Sequence, residues 1–405
     1  MRGVSGATTA ALALAAALAA AGRADELADR LQPHVGQTLD LVELGSGKRF
    51  VRPTLEGVVE KEGKAAQLRL RAEGEKAVLS LPVTVIVKIV ADRETIHEAE
   101  ARGSGAAQLR AKRAKDVYEK KLADSLASMQ RRGVSPWPTL SAAEHAAEVE
   151  TLKRFIDGVR EAFPNLQVTE THEFIVATDI PASQVAPYVA SLDAMHDFLC
   201  DLYGIPRGEP VWKGKCLVVA FLREQDFQAF EARFMGTRMQ GVHGLCHQSS
   251  DGRVITACHR GDDAPAFAHM LVHETSHGFN HRWMSPQRLP NWLNEGIAEW
   301  VGTKVVPGSN QVPLKEALAI DFMRRTGSVG DDFFGRDNID AVQYGIASSL
   351  VKFLAGRDPK KFAAFVQAIK EGVPVEEALQ QAFKVSMDDL VQAYGKAVGV
   401  PTLRK

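Results

Sequence analysis

The chain has almost no net charge: 49 Lys and Arg stand against 50 Asp and Glu, a formal balance of −1 over 405 residues. Without a broad basic field there is no reason to expect a nucleic-acid partner. Cysteine is scarce, with four residues, and the first is Cys200, so no lipoprotein anchor is expected. Long apolar runs are missing after the first two dozen residues, which leaves no later segment able to span a bilayer. Tyrosine is also rare, only five in the chain, so each one near a chemical motif stands out.

The N-terminus is where apolar residues do collect. Arg2 precedes an Ala/Leu-rich stretch over residues 7–21, closed by Arg23, Asp25 and Glu26. A basic start, a short apolar region and small residues at the end have the form of a secretory signal peptide, assigned to residues 1–24. The run falls short of the ~20 residues a spanning helix needs. A periplasmic or secreted protein is therefore expected. In an oxidising compartment, four cysteines permit two disulfides, and Cys246–Cys258 with Cys200–Cys216 is the arrangement the spacing suggests.

With 45% apolar and 24% charged residues the mature chain reads as globular, and its length allows two or three domains. Residues 25–92 alternate Gly-containing turns with short β-prone runs, a small β-rich module with no chemical motif. Residues 93–164 turn strongly helical and form an arm, with Ser141 and Glu144 placed as a reciprocal cap for a helix from Ala142 to Phe163. Residues 165–312 mix buried strands, at 174–177 and 216–221, with helices, and residues 241–256 could form the edge of their sheet. Residues 313–405 read as a helical lobe, with helices at 315–326, 341–355, 359–370, 374–382 and 386–397. The fold class is α+β.

The densest chemistry lies in His273-Glu274-Thr275-Ser276-His277, followed by Pro290-Asn291-Trp292-Leu293-Asn294-Glu295-Gly296. Residues four apart share a helix face, so His273 and His277 can address one metal ion, and Glu274 is placed to address a water. Catalytic zinc usually takes three side chains, and Glu295 supplies the third if a second helix crosses the first. Glu299 shares the face of Glu295 in an otherwise apolar helix, where two carboxylates are costly to bury without a metal or imidazolium to compensate. His269 and His281 continue the histidine stripe in both directions, although Gly278 and Asn280 interrupt the helix-forming composition before His281. His269 reads as structural, since a fourth ligand would close the open position.

This arrangement resembles the gluzincin metallopeptidases of the peptidase MA clan, and most closely the bacterial M1-like DUF1570 family, over residues 165–395. The resemblance implies a thermolysin/M1-like catalytic unit with a helical C-terminal lobe, one zinc ion on His273, His277 and Glu295, Glu274 as general base, and Glu299 buttressing a ligand histidine. It also implies an oxyanion donor from a tyrosine ahead of a small-residue-rich helix, a position Tyr344 matches. Two departures are visible. Seventeen residues separate His277 from Glu295, one fewer than is usual in M1-like enzymes. Gly241-Val242-His243-Gly244-Leu245 lacks the acidic residue of the aminopeptidase Gly-x-Met-Glu-Asn segment, which points to internal cleavage of a peptide or protein substrate. The competing expectation is a cell-envelope binding or structural protein that keeps the metallopeptidase fold without its activity.

Overall fold

A computed structural model describes residues 27–44, 48–61, 64–92, 94–98 and 105–405. The signal peptide expected at residues 1–24 lies outside them. The protein is mixed α+β and divides into two compact units, Met1–Val117 and Tyr118–Lys405. The division falls inside a long helix, α1 (Gly105–Arg131).

Among the described residues the first unit carries seven strands in two antiparallel sheets. β1 (Leu41–Leu44), β2 (Arg49–Val51), β6 (Ile86–Ala91) and β7 (Glu94–Glu98) form one, in the order β2-β1-β6-β7. β3 (Thr54–Lys61), β4 (Lys64–Arg71) and β5 (Val78–Pro82) form the other. Leu55, Leu68 and Leu70 alternate inward on β3 and β4 and join Val42, Phe50 and Ile89 in one small core. Residues 94–98 correct the sequence reading, which placed them in a helical arm: they pair with β6. Ile96 is buried in that core, so the apolar contact overrides a local composition that favours helix.

In the second unit a five-stranded sheet is built from β8 (Gln167–Glu170), β9 (Phe174–Thr178), β10 (Cys216–Phe221), β11 (Gly244–Gln248) and β12 (Val254–His259), in the order β11-β12-β10-β9-β8. The three inner strands are parallel and the two outer ones antiparallel. β9 and β10 are buried on both faces, which is why they are continuous apolar runs rather than alternating ones. On one face, Ile175, Ala177, Leu217 and Val219 pack against Leu152, Ile156 and Val159 of α2 (Ala142–Ala162). That helix therefore forms a layer of this unit, and the capping box of Ser141 and Glu144 is present at its start. On the other face Phe174, Val176, Val218 and Ala220 meet α3 (Ala182–Tyr203) and the histidine-bearing α5 (Ala264–Arg282). The short α4 (Glu224–Phe230), continued by a π turn over Glu231–Met235, follows β10.

The rest of the unit is helical: α6 (Asn291–Val305), α7 (Gln311–Thr326), α8 (Ala341–Arg357), α9 (Pro359–Lys370), α10 (Val375–Phe383) and α11 (Met387–Ala397). α6 is wedged between α5 and α8, and two glycines set how close it comes. A Cβ on Gly296 would lie 2.5 Å from the Ala347 carbonyl oxygen and 2.6 Å from a Val351 methyl. A Cβ on Gly345 would run into the Lys315 carbonyl and lie 2.9 Å from the Ala319 methyl. Helix propensity alone would make Gly345→Ala stabilising by about 1 kcal/mol. Because the obstacle is backbone rather than a flexible side chain, overpacking wins, and Gly345→Ala should instead lower stability by about 1–3 kcal/mol in urea unfolding at unchanged m.

Candidate metal centre

Asp263 starts α5 by accepting a hydrogen bond from the Ala266 N–H at 2.9 Å. The helix then runs unbroken through Gly278 and Asn280 to Arg282, so all four histidines sit on it. It tolerates that composition because it is buried along its length. The Thr275 and Ser276 hydroxyls turn back to donate to the Leu271 and Val272 carbonyls, at 2.8 and 2.7 Å, and need no other partner. At its far end the Trp137 indole N–H donates to the His281 carbonyl, and the Trp137 and His281 rings pack edge to face.

His273 and His277 meet with perpendicular rings, their Nε2 atoms 3.1 Å apart. From α6, Glu295 brings Oε2 to 3.2 Å from the first of these nitrogens and 3.3 Å from the second. Three donor atoms from two helices thus converge on one point. Glu295 Oε2 is buried there without a single hydrogen bond of acceptable geometry, and His277 Nδ1 has no partner either. Unsatisfied buried polar atoms call for an explanation, and here an ion between the three donors supplies one. The group can hold a metal ion.

Behind it lies a second carboxylate. Glu299, only 1% exposed, accepts a hydrogen bond from His269 Nε2 at 3.1 Å and another from Lys315 Nζ at 2.5 Å, with His273 Nδ1 at 3.8 Å. His269 is hydrogen-bonded to Glu299, and together with His273 these residues form a second group whose donor atoms lie close enough to hold a metal ion. Lys315 was not foreseen from sequence, where a lysine near the start of an amphipathic helix reads as a solvated residue. It also sits 5.3 Å over the Tyr344 ring. Tyr344 is half-buried, with its ring centroid 6.3 Å from that of His273. The structure therefore gathers all six residues singled out by sequence: His273, Glu274, His277, Glu295, Glu299 and Tyr344.

The charges in this pocket set one another's protonation. Burial disfavours the charged form of Glu295, but His277 and His273 outweigh it and hold the carboxyl well below the usual range. Burial likewise opposes charge on His277, yet the Glu295 carboxylate, with Glu274 and the Asn294 side chain, raises the imidazole to about 9. Glu299 is pushed down to about 2, burial being overcome by His269, His273 and Lys315. Glu274 moves the other way: burial raises it, the two neighbouring histidines partly offset that, and Glu295 and Glu299 add to the rise. Burial and the three glutamates all raise Tyr344, so its hydroxyl keeps its proton as a donor.

Lys370 was also unforeseen. Its side chain is fully buried on α9 and donates to the carbonyls of His281, Ser285 and Gln287 at 3.3, 2.5 and 2.7 Å, while Ser285 Oγ donates to the Lys370 carbonyl. It ties down the segment 283–290 that joins the two metal-facing helices. The expected disulfides are a correction: all four cysteines are free. Cys246 lies opposite Thr256 and Cys258 opposite Gly244, so the two thiols are offset by two residues across the β11–β12 ladder rather than paired. His247 is engaged with Glu231 at 2.9 Å.

No family model matches the chain, and no curated protein matches it.

In the metal-free protein His277 is charged below about 9, whereas a ligand imidazole must be neutral. Metal uptake at pH 7 should therefore release about one proton, and affinity should rise with pH until about 9 is passed. Titration calorimetry in buffers of different ionisation enthalpy measures this directly. An uptake of metal without buffer-dependent heat would contradict the charged His277–Glu295 pair.

Proposed function

We propose that the protein is a gluzincin-type zinc metallopeptidase with a thermolysin/M1-like catalytic unit, cleaving internal peptide bonds. The observation that carries this reading is the set of three donor atoms spaced 3.1–3.3 Å apart around an unpartnered carboxylate oxygen. With metal–ligand bonds of about 2.0–2.1 Å, atoms at the corners of a tetrahedron lie about 3.3 Å from one another. Two imidazole nitrogens and one carboxylate oxygen also make the donor set of a catalytic zinc site that leaves one position open. The residues present fit the ion.

Zinc held by His273, His277 and Glu295 would supply a Lewis acid that polarises the scissile carbonyl and makes water a stronger acid. The protein's own groups do the rest. Glu274, adjacent on α5 and raised above the ordinary carboxylate range, accepts the proton of the attacking water and delivers it to the leaving amine. Tyr344 donates its hydroxyl to the oxyanion of the tetrahedral intermediate, where a donor aimed at developing charge is worth most. Glu299, held by His269 and Lys315, lies 3.8 Å behind His273 Nδ1, where its charge favours a proton on that nitrogen and leaves Nε2 to face the metal. Among the described residues β11 has one strand neighbour, β12, and its Cys246, His247 and Gln248 line the cleft, which suits pairing with an extended backbone.

The two roles separate cleanly in mutants. His277→Ala should lose most bound zinc. Glu274→Gln should keep zinc at wild-type stoichiometry while peptide-library cleavage falls by about 10²–10⁴-fold. Tyr344→Phe should keep zinc and lower kcat by about 10²–10³-fold. Equal digestion by wild-type and Glu274→Gln proteins would sink the mechanism. Zinc-loaded protein inert on every peptide would turn the reading towards a binding protein on the same fold.

A further inference from the structure

The chain's net charge gives no preference among peptides, but the surface around the metal centre is not neutral. Beyond His277 a cleft of about 910 Å³ opens between the end of β11, the last turns of α5, the 287–291 segment and the 334–338 loop. Two different loops each bring one arginine to it, Arg288 and Arg336. Both are exposed, and neither makes an ion pair among the described residues. The cleft lining contains a single carboxylate, Asp337, and its aliphatic and aromatic lining reduces to Leu289, Pro290 and Phe334. Six of the seventeen lining residues are Asn or Gln, groups that favour a hydrogen-bonding occupant.

A second observation points the same way. Arg282 and Lys370 are buried at the end of α5, and the Lys370 amine is satisfied by carbonyls rather than by an acid. Burial, then Lys370, Arg282 and Arg288, hold His281 down at about 4, so this lining imidazole stays neutral, while burial lowers Lys370 itself to about 7 and leaves the arginines as the fixed cations here. A lysine or arginine of a substrate would meet like charge here, and a large apolar side chain would have to strip water from amide groups without replacing it. A carboxylate meets two guanidinium forks able to bind it in bidentate fashion.

We propose that the cleft beyond His277 receives a carboxylate-bearing segment of the substrate, with Arg288 and Arg336 as the residues that select it. This rests on the peptidase reading and names the substrate class of that same site. The carboxylate can come from an Asp or Glu side chain or from a free C-terminus.

Fluorescent peptides of one core sequence, bound to zinc-loaded Glu274→Gln protein, test the inference. One carries internal glutamates and an amidated end, one a neutral sequence with a free C-terminus, one the neutral amidated sequence, and one lysines in place of the glutamates. The glutamate peptide should bind about tenfold more tightly than the lysine peptide, with the gap narrowing in salt. Arg288→Ala with Arg336→Ala should abolish the difference, and Arg288→Glu with Arg336→Glu should reverse it. Preference for the neutral free-ended peptide over its amidated form would assign the carboxylate to a C-terminus. Equal binding of all four peptides, absence of binding included, overturns the proposal, as does a charge preference that survives the double substitution. Wild-type cleavage with no acidic preference would overturn it while leaving the peptidase standing. Acid-selective, arginine-dependent binding without any cleavage would keep the cleft assignment and remove the peptidase.

Discussion

Two carboxylates buried on one apolar helix are the constraint around which the second unit is organised. Glu295 and Glu299 lie on α6 among Trp292, Ile297, Ala298 and Val301, where an uncompensated charge would cost several kcal/mol. Each is compensated in its own way. Glu299 already has two hydrogen-bond donors, His269 and Lys315. Glu295 faces two imidazoles, neither in hydrogen-bond geometry with its Oε2, with Tyr344 also beside its carboxylate, and a further charge can be held at the point the three donors share. The first arrangement holds a ring in place and the second can take up an ion.

The geometry depends on parts outside the donor cluster. α6 can bring Glu295 to α5 because Gly296 lets it settle against the backbone of α8, and Gly345 lets α8 settle against α7. The same stack carries Tyr344 to the His273 ring and Lys315 to both Glu299 and the tyrosine face. The segment between these two helices is short, and Lys370, far downstream in the chain, gathers two of its carbonyls, Ser285 and Gln287, together with that of His281 at the end of α5. A fully buried ammonium answered by carbonyl dipoles is expensive to desolvate, which argues that its return lies in fixing that segment. The cations clustered there also give one end of the cleft a positive character that the balanced overall charge conceals.

What sequence alone determined were features carried by local spacing. The four-residue interval of His273 and His277, the amphipathic repeats of the C-terminal helices, the Ser141–Glu144 cap and the apolar runs at β9 and β10 are each written in a short window, and each appears in the structure. So is the identity of the third donor, because Asn-Glu-Gly at the head of a helix brings Glu295 into play. Residues 94–98 were misread because their composition favours helix while the burial of Ile96 and pairing with β6 favour strand. The cysteine pairing was misread because spacing along the chain does not reveal the register of β11 on β12, which offsets Cys246 from Cys258. Only the tertiary structure decided which charges face one another. Lys315 and Lys370 look like ordinary surface lysines in sequence, and the arginines of the cleft belong to loops nearly fifty residues apart. An ion pair or a buried ammonium depends on distances of a few ångströms between distant segments, and no local pattern encodes them.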